Sequence, residues 1–72
     1  MNYKEISINE EFIRLDSAMK LASLVVTGGH AKIVIQNGEV KVNGQICTMR
    51  GKKLYKGDKV EFEHNGFIVV WK

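Results

Sequence analysis

Proline is absent from this chain of 72 residues, cysteine occurs once, and no apolar run approaches the ~20 residues needed to cross a bilayer. A lone cysteine cannot make an internal disulfide, and the strand-like surroundings of Cys47 suit a buried small hydrophobe better than a nucleophile. His30 and His64 have no cysteine or second histidine at ligand spacing, so no metal site is legible and no cofactor is expected. Glu61 and Glu63 alternate along a strand among solvated positions, and a working acid and base pair needs a concave pocket that so small a chain does not build. No catalytic residue is assigned, and the expectation is a protein that is not an enzyme and has no small-molecule substrate. The opening from Met1 to Glu5 lacks the basic-then-apolar pattern of a signal peptide. A cytoplasmic protein that does not engage a membrane is therefore expected. Low-complexity tracts, linkers and repeats are also missing, which leaves one domain over residues 1–72 as the expected organisation.

What is present suffices for a thin core. Apolar residues make up 44%, including three Phe, two Tyr and one Trp, so neither a metal nor a disulfide is required for folding. A domain of this size buries roughly 60% of the surface its unfolded chain exposes. The net charge of +3 is unevenly spread. Residues 1–16 carry Lys4 and Arg14 against Glu5, Glu10, Glu11 and Asp16, a balance of −2, whereas residues 41–59 carry Lys41, Arg50, Lys52, Lys53, Lys56 and Lys59 against Asp58, a balance of +5. A localised basic surface on a small domain attracts polyanions, although charge clusters alone are more often a solvated face.

Periodicity outlines the elements. Ile6 and Ile8 fall on one side of a short strand or extended arm from Tyr3 to Ile8. From Leu15 to Val25, Leu15, Ala18, Met19 and Ala22 follow the three-and-four spacing of an amphipathic helix, with Asp16 placed to favour or cap its positive end and Lys20 four residues on. Thr27-Gly28-Gly29 interrupts the pattern. A second helix is expected over His30 to Gln36, capped by Thr27 or Gly28 and stopped by Gly38, although the β-branched Ile33, Val34 and Ile35 argue locally for a strand.

Two Asn-Gly pairs flanked by apolar alternation, Asn43-Gly44 and Asn65-Gly66, signal type I′ hairpins. A two-residue loop at the first sets Val42 opposite Gln45, Lys41 opposite Ile46 and Val40 opposite Cys47. A loop at the second would pair Phe62 with Val69 and Val60 with Trp71, gathering Val60, Phe62, Val69 and Trp71 into an apolar face for the helices. Ile68 and Val70 would face away, covered by the amino-terminal arm or left on a partly apolar outer side.

Gly28-Gly29 lacks both the Walker spacing and the dinucleotide fingerprint. Two readings remain level on the residues alone: a pair of glycines exposing amide donors to a phosphate at the positive end of a helix, or a pair that merely lets the chain turn between packed helices. Arg50-Gly51-Lys52-Lys53 reads as a flexible basic loop. Tyr3 and Tyr55 are candidates for stacking on unpaired bases, with a place at the core edge the commoner fate of a residue set like Tyr55.

Arg14-Leu15-Asp16, Ala31-Lys32, Val40-Lys41-Val42-Asn43-Gly44 and Gly57-Asp58, in this order, resemble the RNA-binding domain named for ribosomal small-subunit protein four, also called the alpha-L motif. The resemblance spans residues 14–62. It implies an α+β fold of two short helices packed on a small, mainly antiparallel sheet built from hairpins, with helix one, the turn and helix two presented to RNA. Thr27-Gly28-Gly29 departs from the Ser-Arg pair usual at the turn and is similar to the Ser-Gly-Gly-x-Ala-Lys of a short, free-standing bacterial subgroup. With the cations that the charge pattern adds, the candidate RNA-binding residues are Arg14, Lys20, Thr27, Gly28, Gly29, His30, Lys32, Lys41, Arg50, Lys52 and Lys53. The expected function is non-catalytic binding of structured RNA, ribosomal or tRNA-like, with the ribosome or a ribosome-associated protein as a further partner. At this length, binding itself or recruitment of a partner would be the activity. The alternative from another class is a small α+β adaptor whose basic face meets an acidic protein. A ubiquitin-like sulfur carrier fits less well, because Val69-Val70-Trp71-Lys72 lacks a terminal Gly-Gly.

Overall fold

A computed structural model of the protein describes residues 3–72. The elements in chain order are β1 (Tyr3–Ile8), β2 (Ile13–Arg14), α1 (Leu15–Leu21), α2 (Gly28–Gln36), β3 (Val40–Val42), β4 (Gln45–Ile46), β5 (Lys53–Leu54), β6 (Lys59–Phe62) and β7 (Asn65–Trp71). Five strands form one sheet in the order β1-β7-β6-β3-β4, and β2 pairs with β5 in a separate two-stranded ladder. Only the β1–β7 pair of the larger sheet is parallel. The architecture is the α+β arrangement expected from the sequence, with both helices on one face of a mainly antiparallel sheet.

Alternation along the strands builds the core. Ile6, Ile8, Val40, Val42, Val60, Phe62, Phe67 and Val69 face the helices, which bury Leu15, Ala18 and Met19 from α1 and Ala31, Val34 and Ile35 from α2. Cys47 is half-buried and packs against this core. The Asn43-Gly44 hairpin forms as anticipated: φ is 52° at Asn43 and 84° at Gly44, the two left-handed positions of a type I′ turn. Its register pairs Val42 with Gln45 and Lys41 with Ile46, and the Cys47 amide donates to the Val40 carbonyl at 2.9 Å. The Gly57-Asp58 turn also forms, with Gly57 at φ 93° and Asp58 accepting from the Tyr55 amide at 2.8 Å and from Asn43 Nδ2 at 3.1 Å.

The second hairpin differs from the expectation. Its loop is Glu63-His64, and Phe62 faces Asn65, Glu61 faces Gly66, and Val60 faces Phe67. Glu63 itself takes the left-handed φ of 58°. Gly66 is required within the strand, because a Cβ there would lie 2.9 Å from the Val60 carbonyl oxygen and 2.8 Å from the Tyr3 ring. The register shift is an even number of residues, so Val60, Phe62 and Val69 keep their helix-facing side. Trp71 runs past the end of β6 and remains 51% exposed.

Helix α1 ends earlier than the sequence pattern suggests. Ser23 adopts φ 61°, its amide donates to the Lys20 carbonyl at 3.0 Å, and the Leu24 amide reaches back to the Met19 carbonyl at 3.0 Å, a Schellman ending made without glycine. Lys4 Nζ donates to the Ala22 carbonyl at 3.0 Å and closes the same end. Helix α2 ends in the same way on Gly38, at φ 77°. Strand β1 lies in the plane of the sheet, so Ile68 and Val70 are half-buried on an outer side that is partly apolar.

Candidate nucleic-acid interface

The start of α1 is built from two distant parts of the sequence. Arg14 is the N-cap residue but makes no side-chain cap. The first amides of the helix are satisfied across the fold instead: Leu15 N donates to the Lys52 carbonyl at 2.8 Å and Asp16 N to the Arg50 carbonyl at 3.1 Å. Asp16, expected as a capping residue, accepts from the Ser17 amide at 2.8 Å and pairs with Arg14 at 3.1 Å, while Lys20 is not its partner. The basic loop, read as flexible, is thus fastened by its carbonyls, and Lys53 is paired with Arg14 in the β2–β5 ladder. With the backbone turned inward to the helix, the side chains of Arg50, Lys52 and Lys53 are exposed. Arg14–Asp16 is the one ion pair within 4.0 Å among the described residues, so these three cations have no carboxylate partner there.

Helix α2 opens with Thr27 as N-cap, its hydroxyl oxygen accepting from the His30 amide at 3.0 Å. Gly28 and Gly29 are the first two helical residues, neither at positive φ. A Cβ at Gly28 would meet nothing within 4 Å, and one at Gly29 only the Thr27 hydroxyl at 3.8 Å. The reversal between the helices involves the left-handed Ser23, so neither packing nor backbone conformation demands these two glycines. Thr27, Gly28, Gly29, His30 and Lys32 are all exposed, as is Lys20 near the end of α1, and Ala31 between them is fully buried and seats the helix.

The sequence-derived residues therefore form two groups. Arg14, Arg50, Lys52 and Lys53 gather at the start of α1, and Lys20, Thr27, Gly28, Gly29, His30 and Lys32 lie along the end of α1 and the first turns of α2. Lys41 joins neither. It projects from β3 on the sheet face turned away from the helices, across from Glu61. Tyr3 lies on that outer face too, its hydroxyl donating to Glu61 Oε1 at 2.7 Å. That bond, some burial and the nearby carboxylate charge raise the phenol above its ordinary value near 10.

Phe12 is a residue the sequence reading passed over. The pairing of Ile13 with Leu54 continues outward to set Phe12 beside Tyr55, their ring centroids 6.2 Å apart, and Lys53 Nζ lies 4.8 Å over the Phe12 ring. Tyr55 is 44% exposed, next in the chain to the fully buried Leu54. The available signal was the alternation of Phe12 and Arg14 around the inward Ile13.

A helix pair on one face of a sheet whose edge hairpin is Val-x-Val-Asn-Gly is an alpha-L arrangement. This chain belongs to the S4 domain family, whose profile matches residues 6–70. It is 46% identical over 65 residues to the probable ribosome maturation protein RlbA of Bacillus subtilis (strain 168), covering 90% of this chain and 92% of that one. It is 34% identical over 58 residues to YbcJ of Escherichia coli (strain K12), covering 81% and 83% of the two chains. The solution structure of E. coli YbcJ, described as revealing an alpha-L motif involved in RNA-binding, superposes with a TM-score of 0.74 at 31% identity over 97% of this chain and 90% of YbcJ.

Proposed function

We propose that this protein binds structured RNA, ribosomal or tRNA-like, without catalysing a reaction on it, and that it acts in the cytoplasm in association with the ribosome or a ribosome-associated protein. The interface is the helix pair with its turn, extended by the anchored basic loop. The observation that carries this reading is the Gly28-Gly29 pair: two exposed helical glycines, with open space where a Cβ would stand at Gly28 and only the Thr27 hydroxyl, at 3.8 Å, near one at Gly29. Glycine costs about 0.5–1 kcal/mol relative to alanine in the middle of a helix and less in its first turn, and a pair that folding does not require is accounted for by close approach of a ligand to the backbone. The ligand suited to free amides at the positive end of a helix is an anion, and the unpaired cations of both groups suit a polyanion. The names of the two relatives, one tied to ribosome maturation and the other to RNA-binding, agree with that chemistry.

Titration of a structured RNA at several salt concentrations tests it. Affinity should fall steeply with salt. Lys32→Ala and the double change Arg50→Ala with Lys53→Ala should each weaken binding and flatten the logarithmic salt slope by roughly one unit for every phosphate left without its cation. Lys59→Ala with Lys72→Ala removes the same net charge as the loop pair and should change the slope far less. Equal losses in the two double variants would reduce the interface to net charge and overturn its placement.

A further inference from the structure

We propose that the outer edge of the β2–β5 ladder is a stacking site for a single unpaired nucleobase, taken from RNA whose duplex part lies on the helix pair. This rests on the RNA-binding reading and adds to it a separate subsite and a preference for unpaired nucleotides. Phe12 is the platform. It is 36% exposed, whereas the other two phenylalanines are buried. Tyr55 braces its ring at 6.2 Å with a tilt of 52°, and Lys53 stands 4.8 Å above it.

Phe12 also forms part of the wall of an open groove of about 370 Å³ between the end of β1 and the side of α1, lined further by Ile8, Ile13, Arg14, Ser17 and Leu21. That volume lies at the small end of the range that ligand pockets occupy and suits one base, not a duplex. Apolar Ile8, Ile13 and Leu21 match the faces of a base, and the Ser17 hydroxyl can meet its edge. Charge fixes the direction of the strand. Glu10 at the rim of the groove repels phosphate and Arg14 is already paired with Asp16, whereas Lys53 beside Phe12, with Arg50 and Lys52 on the adjoining loop, attracts it. An aromatic platform next to cations in this way is the arrangement by which single-stranded nucleotides are held irrespective of sequence.

The experiment compares three RNAs by fluorescence anisotropy: a blunt hairpin, the same hairpin with a three-nucleotide unpaired extension, and the hairpin whose extension is abasic. The abasic strand keeps the phosphates and removes the bases. Stacking is worth about 1–3 kcal/mol per base, so the base-bearing extension should bind roughly 5- to 150-fold more tightly than the abasic one. Phe12→Leu should collapse that ratio to one, leave the affinity for the blunt hairpin unchanged, and leave the melting temperature near that of the parent. Phe12→Trp should keep the ratio. Equal affinity of the parent protein for the base-bearing and abasic RNAs, with the blunt hairpin still bound, overturns the stacking site and leaves the RNA-binding reading standing. Failure to bind any of the three overturns both. The comparison of RNAs on the parent protein needs no variant to fold.

Discussion

Replacing both Gly28 and Gly29 by alanine sets the stability of the fold against its proposed function. The first turn of α2 has room for both methyl groups, with nothing within 4 Å of a Cβ at Gly28 and only the Thr27 hydroxyl at 3.8 Å from one at Gly29. Each change should stabilise the protein by about 0.4–1 kcal/mol by narrowing the unfolded ensemble, toward the lower end for residues in a first helical turn. For 72 residues, a combined gain of about 1 kcal/mol raises the melting temperature by roughly 4–8 °C. RNA binding should move the other way. A hydrogen bond to a charged acceptor is worth about 1.5–3 kcal/mol, so one phosphate held off by a methyl group costs about tenfold or more in affinity. Thermal melting and anisotropy titration on the same preparation read both effects. A variant that is more stable and binds as well as its parent refutes the phosphate contact at this turn. A less stable variant refutes the open geometry of the turn itself.

Three further outcomes follow from the turns and the outer face. Gly44→Val forces a β-branched residue to φ 84° and should cost more than about 1 kcal/mol in chemical denaturation; an unchanged midpoint would contradict the type I′ hairpin. Gly66→Ala meets the Val60 carbonyl oxygen at 2.9 Å, a backbone atom that cannot swing aside, and should cost about 1–3 kcal/mol, with Tyr3→Ala unable to rescue it. The Tyr3 phenol should ionise above pH 10, and Glu61→Gln should lower its midpoint in ultraviolet titration. Because its folded value is raised, the stabilisation it contributes is complete below about pH 10 and is lost as pH climbs through the folded value; a midpoint unmoved by Glu61→Gln would remove the hydrogen bond as the cause.

The parts of the fold that could be read in the sequence are those whose causes are local. Asn43-Gly44 gave its hairpin because a type I′ loop needs two left-handed residues and these are the residues that supply them at least cost. Asn65-Gly66 carried the same signal to the wrong place. There Glu63 took the left-handed position, and Gly66 lies within the strand, where the Tyr3 ring and the Val60 carbonyl leave no room for a Cβ; these neighbours come from β1 and β6 and leave no trace beside Gly66 in the chain. In α2 the β-branched Ile33, Val34 and Ile35 favoured a strand, yet the Thr27 cap, the Gly38 stop and the burial of Val34 and Ile35 outweighed that propensity. Helix α1 was overdrawn because apolar spacing continues through Ala22 and Val25, both buried, while the chain has already turned at Ser23.

The candidate interface shows the same division. Its cations were legible as a composition, but their anchoring was not, because the bonds from Leu15 and Asp16 to the Lys52 and Arg50 carbonyls join segments some 35 residues apart. Those bonds also explain how a basic loop can be held without spending its charge. They engage only backbone carbonyls of the loop and leave its guanidinium and ammonium groups free of carboxylates among the described residues. The start of α1 and the loop are therefore held by backbone bonds that alanine substitutions at Arg50 or Lys53 leave in place. A change in RNA affinity at either position is then a property of the interface and not of the fold.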